Sequence, residues 1–242
     1  LLYKIGLRLS DRVITLNESN CDLLVGKGYV RKKNMEFFDC GEGVDLSMFP
    51  REKTGFECVR FLMVARVLYD KGYKEFVEAA HIVKVRHPEV SFELLGSVDE
   101  ESPMRVPREV FEKDMAEGTI TYLGVTDDVP AVVGRDGVVL VIASYHEGLN
   151  RSLMEACAMG RPVITSNIPG CRELVEDGGN GFLVEPKSTE QLVAAMERFI
   201  SLSQEQKIAM GEVSYRKALE QFDVRITLRK YDEILSDLGV CE

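Results

Sequence analysis

Between residues 59 and 184, short runs of consecutive apolar residues alternate with stretches whose apolar positions recur every three to four residues. Residues 138–143 are continuously apolar, which is typical of a strand buried on both faces of a sheet. Residues 73–83 have the spacing of an amphipathic helix that ends before Pro88. The alternation predicts an α/β fold with a Rossmann-like, doubly wound parallel sheet. The predicted strands are residues 59–65, 90–95, 119–123, 138–143, 162–165 and 182–184, with helices over 107–117, near 129 and over 172–176.

The two ends of the chain have different patterns. After Pro186 the spacing is helical throughout, and it predicts helices over residues 189–202, 204–222 and 224–238. Residues 1–40 hold about one and a half βα units, too little to bury a sheet face alone. The elements predicted there are the end of a helix, strands at 12–16 and 35–38, and a helix at 19–27.

Charge and hydropathy exclude two classes of protein. A net charge of -10 and a pI of about 5.0 argue against a nucleic-acid-binding surface, which needs clustered Lys and Arg. No apolar run approaches the length of about 18 residues that a membrane-spanning helix requires. We therefore expect a cytoplasmic protein with no nucleic acid partner, and membrane contact through a local basic patch stays open.

Cysteine and histidine spacing argues against a metal centre. The sequence has no CxxC pair, no HExxH motif and no GxSxG motif, so we expect reduced, buried thiols, no metal and no cofactor. Of the histidines, only His146 adjoins a candidate site. The cysteines are Cys21, Cys40, Cys58, Cys157, Cys171 and Cys241.

Residues 147–155 connect the predicted strand at 138–143 to the next helix. In parallel α/β sheets this connection lines the ligand crevice, and free amides at a helix start favour a phosphate. Glu147 lies at the start of the stretch and Glu155 within the helix, where each carboxylate can accept hydrogen bonds from hydroxyls. The arrangement predicts a ligand with a diphosphate between two polyols.

The Glu147-x7-Glu155 spacing belongs to an ordered set of motifs. In this order and at these spacings, over roughly residues 10–200, the set resembles the retaining GT-B glycosyltransferases of family 4. The Asn150-Arg151 pair is more similar to the branch that makes bacterial surface polysaccharides and lipid-linked oligosaccharides. The other motifs are Gly43-Val44-Asp45 with Phe49-Pro50, Arg66 with Lys71-Gly72, Gly124, Gly160-Arg161-Pro162-Val163, and Pro169-Gly170-Cys171-Arg172-Glu173 running to Gly181-Phe182-Leu183-Val184.

The resemblance implies a domain organisation. Residues 1–50 would be the incomplete end of an N-terminal acceptor domain plus the linker, residues 51–222 the nucleotide-sugar donor-binding domain, and residues 223–242 a C-terminal crossover helix. The family's glycine-rich loop and acceptor-domain histidine are not in this sequence, so we expect a fragment that binds donor weakly and catalyses little. The last helix either exposes an apolar face or folds onto residues 1–40.

Arg66 and Lys71 are candidate phosphate ligands. A lysine at a helix start opposes the helix dipole at a cost of roughly 0.3–1 kcal/mol unless an anion binds there, although a solvated surface cation is the alternative. The resemblance implies that both residues clamp the donor diphosphate in place of a metal. It implies that Glu147 positions the donor sugar and stabilises positive charge at the anomeric carbon, with a double-displacement nucleophile as the alternative role.

The resemblance also implies the rest of the donor site. Glu155 would bind the ribose hydroxyls, and the amides of Gly148, Leu149 and Asn150 would bind the sugar and the distal phosphate. Asp127 either lies near the nucleobase or caps the helix near residue 129. Further donor-binding positions are Gly96, Gly124 and Val125, the last of which would contact the nucleobase through its backbone.

The implied activity is sugar transfer, with retention, from a nucleotide diphosphate donor to a glycan or polyprenyl-linked acceptor. We expect a UDP-sugar as donor and the inner face of the plasma membrane as the location, with any membrane contact made through the absent domain. Three alternatives stay open: a GT-B nucleotide-sugar epimerase, a glycogen-type synthase that uses ADP-glucose, and a noncatalytic nucleotide-binding module.

Overall fold

The computed structural model describes residues 2–51 and 54–240. Cys241 and residues 1, 52, 53 and 242 lie outside those ranges, although the predicted domains include them. The strands are β1 (Val13–Thr15), β2 (Met35–Phe37), β3 (Arg60–Val64), β4 (Ser91–Leu95), β5 (Thr121–Gly124), β6 (Val138–Ile142), β7 (Val163–Ser166) and β8 (Gly181–Val184). The helices are α1 (Leu2–Leu9), α2 (Glu18–Gly26), α3 (Tyr73–Arg86), α4 (Arg108–Ala116), α5 (Val129–Val133), α6 (Arg151–Ala158), α7 (Thr189–Ser201), α8 (Gln204–Lys217) and α9 (Val224–Asp237).

Six of these strands form one parallel sheet in the order β5-β4-β3-β6-β7-β8. The parallel, doubly wound α/β fold predicted from the sequence is confirmed. The order reverses between β3 and β6, and open α/β sheets bind ligands outside the carboxyl ends of the strands at such a reversal. This position directs attention to the loops that follow Val64 and Ile142.

Helices cover both faces of the sheet. On one face, Phe61 of β3 contacts Phe92 and Phe199, with ring centroids 5.5 and 6.3 Å apart, beneath α3 and α7. On the other face, α5 and α6 pack on residues such as Leu62 and Leu140. Because both faces are covered, every side chain of β6 is at most 1% exposed, which accounts for its unbroken apolar sequence.

Residues 13–44 carry a second, two-stranded sheet and contact the C-terminal helix. β1 and β2 pair in parallel, and the backbone of Val44 pairs with Phe222 just before α9. Phe38 meets Tyr231 of α9 edge to face, with ring centroids 5.0 Å apart. Helix α9 therefore folds onto the segment around residues 38–44, although Leu228 on the same helix stays 54% exposed.

Several predicted boundaries are wrong in detail. The helix predicted over 204–222 ends at Lys217 and continues as a π-helical stretch, Ala218–Phe222. The helix predicted over 172–176 is a single 3₁₀ turn, Arg172–Leu174. Among the described thiols, Cys40, Cys157 and Cys171 are buried as expected, whereas Cys58 is exposed. Within the described ranges, no helix combines the length and apolarity needed to cross a bilayer.

Candidate functional site

Lys71 and Glu147, predicted separately as site residues, meet at the point where the strand order reverses. The Lys71 Nζ lies 2.8 Å from Glu147 Oε1. Their side chains are 20% and 14% exposed, so the pair is mostly shielded from water and yet open on one side. This ion pair joins the loop after β3 to the loop after β6.

A tight turn brings Lys71 to this position. Lys71 ends a 3₁₀ turn, and Gly72 follows at a φ of 78° to begin α3. A Cβ on Gly72 would lie 2.2 Å from the carbonyl oxygen of Ala143, directly after β6. Only glycine permits this approach, because a side chain would meet backbone and would also be strained at that φ. The Tyr145 amide donates to the Asp70 carbonyl at 2.9 Å and ties the two loops together again.

The loop of residues 147–150 is held from two sides. The Asn150 amide donates to Gly170 O at 2.8 Å, and the side-chain amide of Asn17 donates to Gly148 O at 2.8 Å. Asn150 also caps α6, because its Oδ1 accepts from the Leu153 amide at 2.9 Å. The Asn150 amide is therefore already bonded within the protein, and its contact with the donor stays a prediction.

Other amides remain available beside it. Within residues 2–51 and 54–240, no hydrogen-bond acceptor faces the amides of Gly148 and Leu149, nor those of Arg151 and Ser152 at the start of α6. A Cβ on Gly148 would meet no protein atom within 4 Å, so the space above this peptide is open. Unpaired amides at the positive end of a helix dipole form an anion site. The predicted amides of Gly148 and Leu149 are thus available to a ligand, and those of Arg151 and Ser152 add to them.

Glu155 lies one turn into α6 and is 9% exposed. Its Oε1 accepts from Arg151 Nε at 2.9 Å, an interaction within the helix that the sequence analysis did not anticipate. A cleft of about 860 Å³ is lined by Glu155 and by residues such as Asp127 and Pro50. Lys71 and Glu147 are not among its lining residues. The cleft therefore adjoins only the Glu155 end of the candidate site.

Arg66 is not brought into contact with Lys71 or Glu147. Its Nη1 instead donates to Asp99 Oδ2 at 2.9 Å, and its side chain is 57% exposed. Asp99 lies in the loop after β4, and no local sequence signal identified it as a partner. Arg66 can reach a ligand only by sharing or leaving this carboxylate.

The remaining predicted positions lie on the carboxyl side of β4 and β5. The Gly96 amide donates to Gly124 O at 2.8 Å, and a Cβ on Gly96 would lie 1.9 Å from Ala65 O. Strand packing alone thus explains Gly96. Val125 is 69% exposed, and its strand is three positions from β6, which corresponds to about 14 Å across the sheet. Among the described residues it is not in contact with the Lys71–Glu147 pair.

The cap of α5 corrects a further assignment. Asp128, not Asp127, accepts from the Ala131 amide, at 3.0 Å. Asp127 is thereby free of the capping role and lines the large cleft.

Two nearby groups with raised pKa values are not candidate nucleophiles. Burial is the main cause that raises the pKa of the Cys171 thiol to about 12; the hydrogen bond with Thr165 lowers that pKa, and the Glu147 carboxylate contributes to the rise. Burial, followed by the hydrogen bond to Glu75, raises the pKa of the Tyr145 hydroxyl. His146 is exposed. In the described ranges, no group of three His, Cys, Asp or Glu side chains is arranged to hold a metal ion.

Fold and site together define a Rossmann-like α/β protein with a Lys71–Glu147 ion pair at its topological reversal. Residues 51–217 match the family described as Glycosyl transferases group 1. The chain belongs to that family.

Individual relatives share little more than a quarter of their residues with this chain. A Campylobacter jejuni protein named N,N'-diacetylbacillosaminyl-diphospho-undecaprenol alpha-1,3-N-acetylgalactosaminyltransferase is 26% identical over 245 residues, covering 95% of this chain and 61% of that protein. The putative glycosyltransferase EpsD of Bacillus subtilis is 28% identical over 235 residues, covering 89% and 60% respectively. The chain thus spans about three fifths of these relatives.

The crystal structure of Anabaena Alr3699/HepE in complex with UDP superposes with a TM-score of 0.82 at 19% identity, covering 97% of this chain and 66% of that one. At this identity the superposition establishes the shared fold.

Proposed function

We propose that this chain is the donor-binding part of a retaining GT-B glycosyltransferase of family 4, which transfers a sugar from a UDP-sugar to a glycan or polyprenyl-linked acceptor. The observation that carries the proposal is the Lys71–Glu147 pair, 2.8 Å apart, beside the free amides of Gly148 and Leu149 at the strand reversal. Cation, carboxylate and amides are the groups needed for a diphosphate that is followed by a sugar. The UDP and UDP-glucose complexes of Alr3699/HepE support UDP as the nucleotide.

Lys71 and Arg66 have the role of stabilising the leaving nucleoside diphosphate. Charge that develops on the diphosphate oxygens as the glycosidic bond breaks is best stabilised by cations that are already in position. Lys71 is in position, since the Gly72 turn holds it against the end of β6. Arg66 moves from Asp99 to the phosphates when donor binds. In this proposal the two cations act without a metal or another cofactor.

Glu147 positions the donor sugar. Its Oε1 accepts from the Lys71 ammonium, and a carboxylate oxygen engaged in a charge-assisted bond is a poorer nucleophile. This favours the positioning role over double displacement. The second oxygen accepts from sugar hydroxyls, and the negative charge stabilises the positive charge that develops at the anomeric carbon.

Glu155 binds the ribose. Arg151 occupies its Oε1, and Oε2 remains to accept from the ribose hydroxyls at the edge of the large cleft. The nucleobase then lies toward Val125 and Asp127, with Gly96 and Gly124 shaping the strand ends below it.

We further propose that residues 1–50 end an acceptor domain, that 51–222 bind the donor, and that 223–242 cross back to the acceptor domain. Acceptor choice and any contact with the inner face of the plasma membrane would depend on residues outside this chain. The name of the Campylobacter jejuni relative, which includes a diphospho-undecaprenol acceptor, supports a lipid-linked acceptor.

Calorimetric titration of the chain with UDP, GDP and ADP tests the donor assignment. We expect UDP to bind best, and Glu155→Ala and the double variant Arg66→Ala, Lys71→Ala each to weaken it at least tenfold, because each removes charge-assisted bonds of about 1.5–3 kcal/mol. Lys74→Ala, which removes an exposed cation in the first turn of α3, is the matched control and should bind as wild type. Absence of nucleotide binding to folded protein at millimolar concentration, or an equal loss in the control, would contradict the assignment.

Retention and transfer are tested separately. With acceptor present, the anomeric proton coupling of the product sugar should match that of the donor. Conversion of the UDP-sugar into its epimer without any acceptor would instead indicate epimerisation.

A further inference from the structure

Asn17 reaches the candidate site from a distant part of the chain. It is 1% exposed and follows β1, and its Nδ2 donates to the carbonyl of Gly148 at 2.8 Å, across a sequence separation of 131 residues. Its Oδ1 accepts from the Asn20 amide at 2.8 Å and caps α2. Both ends of one buried amide are therefore used, one inside the N-terminal segment and one on the 147–150 loop.

The hydrogen bond from Asn17 to the Gly148 carbonyl constrains the peptide that carries the Leu149 amide. The Gly148 carbonyl belongs to the same peptide group as the Leu149 amide, which is one of the free amides at the site. In a planar trans peptide the carbonyl and the N–H point in opposite directions. A donor fixed on the carbonyl therefore fixes the direction of the N–H, and it also polarises the peptide so that the N–H becomes a stronger donor.

A second contact reaches the same peptide. Gly41, at a φ of 62°, packs so closely on Leu149 that an added Cβ would lie 2.3 Å from Leu149 Cδ2. The N-terminal segment thus contacts the carbonyl of Gly148 and the side chain of Leu149. Within residues 54–240 no hydrogen-bond donor bonds this carbonyl, although Gly170 packs so closely against it that an added Cβ would lie 2.3 Å from the carbonyl oxygen.

We propose that Asn17 is a positioning residue that orients the Gly148–Leu149 peptide, with its N–H toward the donor diphosphate. The inference rests on the proposed function and adds a dependence: donor affinity is set in part by docking of the N-terminal segment onto the 147–150 loop. Asn17 does not touch the donor, and it acts through the carbonyl of Gly148.

The substitution Asn17→Asp isolates this role. Aspartate caps a helix as well as asparagine does, so α2 keeps its cap, while the donor to Gly148 O becomes an acceptor. Asn34→Asp is the matched control, because Asn34 Nδ2 donates to Ser10 O at 3.0 Å entirely within the N-terminal segment. Asn17→Ser retains a cap without adding charge and separates loss of the donor from repulsion between the new carboxylate and phosphate.

Two measurements on the full chain test the proposal: the affinity for UDP by calorimetry and the ¹H–¹⁵N resonance of the Leu149 amide. We expect UDP to bind roughly 5- to 20-fold more weakly to Asn17→Asp, and roughly 3- to 10-fold more weakly to Asn17→Ser, with Asn34→Asp unchanged. The Leu149 resonance should shift in both Asn17 variants before any ligand is added, and it should stay unchanged in Asn34→Asp, which loses a bond within the same segment.

The outcomes separate this inference from the proposed function. Failure of the wild-type chain to bind UDP would refute the donor assignment and the inference with it. If wild type binds UDP and the Asn17 variants bind it equally well with an unchanged Leu149 resonance, the positioning role alone is refuted. Equal weakening by Asn34→Asp would also refute it, because the effect would then be general to the segment.

Discussion

Substitutions of Lys71 and of Glu147 should change the affinity for UDP, which lacks the sugar, in opposite directions. In the free protein the Lys71 ammonium bonds to Glu147 Oε1 at 2.8 Å. A diphosphate must share or displace that bond. Removing Glu147 should therefore strengthen UDP binding, whereas removing Lys71 should weaken it.

The magnitude follows from the geometry. Two unit charges 2.8 Å apart attract by about 1.5 kcal/mol in bulk water and about 6 kcal/mol at an effective dielectric constant of 20. With side chains 20% and 14% exposed the value lies between these limits, and desolvation offsets part of it. We expect a coupling free energy of about 2 kcal/mol from a double-mutant cycle of Lys71→Met and Glu147→Gln in urea unfolding.

For UDP binding, Lys71→Met removes a charge-assisted bond and should raise the Kd by roughly 10- to 100-fold. Glu147→Gln keeps the shape of the side chain but releases the ammonium, and should lower the Kd by roughly 3- to 10-fold. Lys74→Met serves as control, since Lys74 is an exposed cation three residues further on, in the first turn of α3. Calorimetry gives all four values.

One result would refute the reasoning directly. If Glu147→Gln leaves UDP binding unchanged or weakens it while the cycle still shows coupling, then Lys71 does not exchange Glu147 for phosphate. The diphosphate would then have to bind elsewhere on the sheet edge.

Three further predictions concern the scaffold around the site. Gly72→Ala should lower the free energy of unfolding by roughly 2–4 kcal/mol, because the new Cβ meets backbone at a φ of 78°; urea unfolding would contradict this if the loss were below about 0.5 kcal/mol. Burial raises the pKa of Cys157 to about 11 and that of Cys171 to about 12. In the folded protein both thiols should therefore resist a thiol reagent at pH 8 until urea is added. The stability that the two buried thiols contribute should be lost as the pH rises from about 9 through those values. Asp223 caps α9, and its hydrogen bond from the Arg225 guanidinium lowers its pKa. Asp223→Ala should lower the free energy of unfolding by about 1–2 kcal/mol at pH 7, and this deficit should shrink as the pH falls below 3.8 through the lower folded pKa. An equal deficit at pH 2 and pH 7 would argue against an ionic contribution.

The sequence by itself determined the fold class and most of its elements. A strand covered on both faces has to be apolar at every position, so residues 138–142 were recognisable without any knowledge of their neighbours. The positions of Lys71 and Glu147 after strands were also predictable, because the ends of the apolar runs show where the strands end. Parallel strands bring their carboxyl ends to one edge, and local periodicity locates those ends.

Tertiary structure alone decided which groups are bonded to which. The Asn150 amide is taken by Gly170, Arg66 by Asp99, and the Gly148 carbonyl by Asn17, across separations of up to 131 residues. Periodicity reports only which face of an element is buried, since it is a property of neighbouring residues in the chain. Hydrogen bonds between loops depend on how separate elements pack to within a few tenths of an ångström, and that information is present only in the folded chain.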